Sequence, residues 1–94
     1  MSPKLNELTH LIMDMQGLEN ELHIYERKYH LRSADFYRLA SADQIEQTPE
    51  FIIWLGTYQV WLKREKKYQR LLKSELTPII KSLNREARNA KIAA

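Results

Sequence analysis

Glu7 and His10 stand three residues apart, the Glu-x-x-His spacing with which helical bundles hold carboxylate-bridged metal pairs. Such a centre needs a second pair and two further carboxylates. At the matching positions before His23 and His30 stand Asn20 and Arg27, so Glu7 and His10 read as polar flanks of a helix and no metal or other cofactor is implied. The chain has no cysteine, which removes disulfides, thiolate zinc sites and cysteine nucleophiles. It also lacks a strand-turn-helix serine motif and a glycine-rich phosphate loop. Its two glycines, Gly17 and Gly56, fall inside predicted helices, where they are expected to mark close approaches of helix backbones. A non-enzymatic protein without a small-molecule substrate is the expectation.

Charge is the next candidate. On a helix, Lys63, Lys66, Lys67, Arg70 and Lys73 share one arc of roughly 120°, opposite Trp54, Trp61, Tyr68 and Leu72. Three readings stay open for this cationic face: a solvated back, a partner for acidic residues of the first helix or of a second subunit, or a phosphate-binding surface for nucleic acid. The whole chain has a net charge of +3, unevenly spread. Residues 1–60 hold five Lys/Arg against nine Asp/Glu, whereas residues 61–94 hold ten against three. Aromatic rings form the third candidate, since Phe36, Tyr37, Phe51, Trp54, Tyr58 and Trp61 crowd one segment. More rings stand there than two or three helices enclose, so part of the cluster is expected to be a protein interface, with Trp54 and Trp61 buried by self-association.

These residues need helices to position them. From about residue 3 to residue 29, Leu8, Leu11, Met15, Leu18, Leu22, Tyr25 and Tyr29 recur at alternating steps of three and four, a complete heptad seam. A short helical connector follows over 33–47, where Ser33 and Ser41 each precede an acid as helix caps and Ser41 has Gln44 three positions on. Thr48-Pro49-Glu50 supplies cap, first-turn proline and first-turn acid for a helix over about 49–76. Thr77-Pro78 then breaks that helix and starts a basic C-terminal one over 78–90, carrying Ile79, Ile80, Leu83 and Ala87. The fold expected is all-α: one domain over residues 1–94, a long antiparallel helical hairpin with a short helical connector and a C-terminal helix. It is coiled-coil-like and dimeric through the heptad seam.

Composition agrees with a folded chain. Of 94 residues 44% are apolar and only five are Gly or Pro, unlike disordered sequences. The longest wholly apolar run, Phe51 to Leu55, is far short of the ~20 residues that cross a membrane. The N-terminus has no apolar stretch of the kind a signal peptide needs, and with cysteine absent a cytoplasmic location without membrane contact is expected.

Between Tyr25 and Leu71 a particular order of motifs stands out. Lys28-Tyr29 ends the first helix, a capped acidic turn with Phe-Tyr follows at Ser33 to Tyr37, and a Phe-x-x-Trp helix opens at Phe51 and runs to Tyr58. Over about half the chain this order resembles a group of small prokaryotic proteins read as antitoxins. His30 stands where that pattern has a loop glycine, and Gln44 to Thr48 is less acidic than its linker. The resemblance implies a helical dimer that masks a toxin encoded beside it. The functional expectation is therefore a module that binds and neutralises or scaffolds a protein partner. The alternative is a nucleic-acid-binding accessory subunit using Lys63 to Lys73 and the C-terminal helix.

Overall fold

A computed structural model describes residues 3–93 as four helices, with no strand among them. They are α1 (Pro3–Tyr29), α2 (Ser33–Ser41), α3 (Pro49–Ser74) and α4 (Leu76–Ala93). The heptad seam of α1 does form a continuous apolar face, and α3 lies along it. Tyr29 meets Glu50, Tyr25 meets Trp54, Glu19 meets Trp61 and Glu7 meets Lys67, so the two helices run in opposite directions. Leu8, Leu11, Met15 and Leu22 are buried inside this single chain, while Leu18, Tyr25 and Tyr29 are half-buried. Within one chain α3 occupies this face, so the expected pairing of two copies through it would have to displace α3.

Each helix end has an identifiable cause. His30 closes α1 at a φ of 55°, and the Leu31 amide donates back to the Glu26 carbonyl at 3.2 Å, the hydrogen bond of a Schellman cap. This left-handed position is the one at which glycine was missing from the sequence pattern. Thr48 caps α3 as expected, its hydroxyl accepting from the Phe51 amide at 3.1 Å with Pro49 in the first turn. The two serine caps do not form. Ser33 is itself the first residue of α2, and its amide donates to the Glu26 carboxylate at 2.8 Å, so an acid from α1 does the capping. Ser41 is the last residue of α2, and no helix follows before Pro49.

The third helix also stops earlier than the proline suggested. Pro78 has no N–H for the Ser74 carbonyl and its ring would strike that carbonyl, so the chain turns at Glu75, with φ −111° and ψ 12°. Thr77 and Pro78 then fit in the first turn of α4, where an N–H would have had no helical partner. Among the described residues α4 touches only α3, at this joint. The result is an elongated body of 56 × 29 × 19 Å. Its radius of gyration is 18.0 Å, against about 12 Å for a compact domain of this length.

Candidate interaction surfaces

The aromatic cluster is first of all the core. Trp54 lies nearly parallel to Phe36, with ring centres 3.8 Å apart and planes 3° apart, and to Tyr25 and Tyr29 at 5.5 and 5.7 Å. Only 1% of Trp54 and 2% of Phe36 is exposed, so neither offers surface to a partner. The expectation that self-association buries Trp54 is corrected: residues of α1 and α2 cover it within the chain. Phe51, Tyr37, Tyr58 and Trp61 are half-buried around this centre, Tyr37 against Tyr58 at 5.4 Å and Tyr58 stacked on Trp61 at 5.8 Å. Ser33 is what the indole of Trp54 requires. The indole N–H donates to the Ser33 hydroxyl at 2.9 Å, and Ser33 is 98% withdrawn from solvent, with 2% exposed. A buried N–H without an acceptor would be costly.

Beside this core, α1, the start of α2 and α3 enclose a cleft of about 210 Å³. Glu19, His23, Glu26, Arg32, Tyr58 and Trp61 are among its lining. Glu19 accepts from the Trp61 indole N–H at 3.0 Å, which fixes that ring. The cleft thus combines two held carboxylates, an aromatic wall and a guanidinium, enough to seat one side chain of another molecule. Sequence periodicity gave no sign of it, because Glu26 and Ser33 meet only through the turn at His30.

At the same end, Glu50 ties α3 to α1. It accepts from the Tyr29 hydroxyl at 2.6 Å and from the Lys28 ammonium at 2.9 Å. The Tyr29 hydrogen bond, then that of Lys28, holds the Glu50 carboxyl below the usual carboxylate range. Glu50 in turn raises Tyr29 and Lys28 above their ordinary values.

The cationic face divides. Lys67 reaches Glu7 on α1 at 3.2 Å, so one of its five members answers the pairing reading. Lys63, Lys66, Arg70 and Lys73 are exposed along α3. Among the described residues, no three of His, Asp and Glu gather as metal ligands, and no helix is long and apolar enough to cross a membrane.

Apolar surface is the larger finding. Ile52, Ile53 and Val60 on α3 are 54, 58 and 40% exposed, and Leu76, Ile80 and Leu83 on α4 are 45, 47 and 64% exposed. Phe51 to Leu55 is apolar at five successive positions, and a helix packed on one side cannot bury all of them. That run was the available signal for an outward apolar face. The glycines do not mark close approaches within the chain: a Cβ placed on Gly17 or Gly56 meets nothing within 4 Å.

No family model matches the chain, and neither does any curated protein or solved structure.

Proposed function

We propose that this chain is a non-enzymatic helical protein-interaction module, an antitoxin-like protein that binds a protein partner and neutralises or scaffolds it. One observation carries the reading: the chain exposes far more surface than its fold needs. Its accessible area is 7355 Å², against about 5,700 Å² for a compact protein of 11.2 kDa. A standard interface takes about 800 Å² from each partner, so the excess is large enough for one or two. The exposed part includes apolar faces on α3 and α4 of the kind that amphipathic helices lay into grooves.

The motif order shared with small antitoxins supports the narrower form of this proposal. So does the left-handed backbone at His30, the position where those proteins have glycine. The test is purification of the tagged chain from its native host, with Ile52→Glu/Ile53→Glu as the comparison. One protein recovered in stoichiometric amount with the native chain and lost with the folded variant is the expected result. Equal recovery with both would overturn the proposal.

A second reading rests on the four exposed cations of α3. If they meet phosphates, five contacts with Lys67 included should give a slope of log affinity on log salt near −4.5 on duplex DNA. A flat response in a gel-shift titration would remove it.

A further inference from the structure

Among the described residues nothing packs on two apolar faces, and the two differ in charge. The first is on α4, where Leu76, Ile80, Leu83, Ala87 and Ala90 follow one another at steps of four and three, a seam two heptads long. All but Ala87 and Ala90 are large, and every residue from Ile80 to Lys91 is exposed. Lys91 lies on one edge of the seam with Arg88, three residues earlier, next to it further round the helix, and Glu86 lies on the other edge. From Leu76 to Ala93 the helix has four Lys/Arg and one Glu, a net +3.

The second face lies at the opposite end of the molecule. Behind α2, a shallow groove of about 10 Å³ is lined by Ala40, Ile45, Phe51, Ile52 and Leu55 together with Glu46 and Gln47. It continues outward on α3 over Ile53, Gly56 and Val60. From Leu39 to Val60 the chain carries the exposed acids Asp43 and Glu46 and no Lys or Arg, while Glu50 is taken up by Lys28 and Tyr29 of α1. Gly56 leaves a notch in the middle of this face, open to a helix from outside. A mid-helix glycine weakens a helix relative to alanine, and no neighbour among the described residues requires one there.

The two faces are opposite in charge and similar in length. The α4 seam spans about 20 Å from residue 76 to residue 90, and the α3 ridge with the groove before it is of similar reach, at 1.5 Å per helical residue. They cannot meet within one chain. Leu76 lies about 30 Å along the helix from Gly56, and the joint at Glu75 is one residue, too short to reverse a helix onto its predecessor.

We infer that α4 of one copy docks on the acidic apolar face of α2 and α3 of a second copy, and that the second copy returns the contact. The reciprocity makes a closed two-fold dimer without unpaired ends. Opposite charge along the rims guides the encounter and sets its direction. The excess area of some 1,600 Å² per chain exceeds the roughly 800 Å² that a standard interface takes from each side, so a foreign partner can still bind. The inference extends the reading of the chain as an interaction module, and it is tested on the purified chain alone, where a missing foreign partner has no effect.

Light scattering after size exclusion at tens of micromolar, low salt, gives the mass. The native chain should elute at twice 11.2 kDa. Arg88→Glu/Lys91→Glu and Glu46→Lys/Gln47→Lys should each dimerise at least tenfold more weakly while keeping native helicity. An equimolar mixture of the two should recover the dimer, because each negative α4 then meets a positive rim and each native α4 a native rim. Ile80→Glu/Leu83→Glu should be monomeric with or without a mate. A native chain of single mass, a dimer indifferent to all these changes, or a mixture that fails to recover would overturn the inference.

Discussion

Replacing Ser33 by alanine removes one hydroxyl and should destabilise the fold by about 1–3 kcal/mol, the cost of a buried donor left without an acceptor. The figure comes from geometry: Trp54 donates to Ser33 Oγ at 2.9 Å, and the two residues are 1 and 2% exposed, so the indole N–H loses its acceptor within the core. Alanine's helix propensity returns about 0.5 kcal/mol at most at this first-turn site, leaving a net loss of about 0.5–2.5 kcal/mol. At about 4–8 °C per kcal/mol for a domain of this size, the melting temperature should fall by roughly 2–20 °C. Urea unfolding followed by circular dichroism gives the free energy, and Trp54→Phe provides the control. Phenylalanine has no N–H, so Ser33→Ala should cost several-fold less in that background. Equal costs in the two backgrounds, or a loss below about 0.5 kcal/mol in the native one, would refute the argument that this hydrogen bond holds α2 to α3.

Other consequences are as direct. Gly17→Ala should raise stability by about 1 kcal/mol, since a Cβ there meets nothing within 4 Å, and an unchanged urea midpoint would contradict it. His30→Gly should stabilise by about 1 kcal/mol by relieving a left-handed backbone at a φ of 55°, read from the same transition. The Glu50 cluster fixes the pH response. Glu50 is depressed in the folded state, so its contribution is present above its ordinary value of 4.5 and is lost as pH falls through the lower folded value. Tyr29 and Lys28 are raised, so theirs are present below 10.0 and 10.5 and are lost as pH rises through the folded values. Glu50→Gln should flatten both limbs of a stability profile, and limbs that keep their slope in the variant would locate the titration elsewhere.

How much of this was legible depended on how far apart the cooperating residues lie in sequence. The seam of α1 and the Thr48-Pro49-Glu50 start of α3 are local patterns, and they appear where periodicity and capping chemistry put them. Ser33 was recognisable as a residue for a helix start, but its hydroxyl serves an indole 21 positions later, and Glu26, seven positions earlier, takes the cap. No pattern of neighbours contains that exchange. The aromatic cluster looked too large to enclose because periodicity does not show that α2 folds over Trp54, which lets Phe36 stack on it. Gly56 looked like a contact between helices of the chain, and the structure leaves it open to the outside. The proline at position 78 signalled a break correctly in kind, but its clash acts on the carbonyl four residues back, which moves the turn to Glu75.

The central claim is that the outer faces of α3 and α4 exist to be covered by protein. Hydrogen exchange on the purified chain, first dilute enough to be monomeric, then concentrated, and then with the protein that copurifies with it, tests this most directly, because it reports each amide's protection residue by residue. The account predicts added protection over residues 52–60 and 76–91, with the buried seam of α1 already protected in the free chain. Unchanged exchange in both segments, or protection confined to residues 63–73, would contradict it.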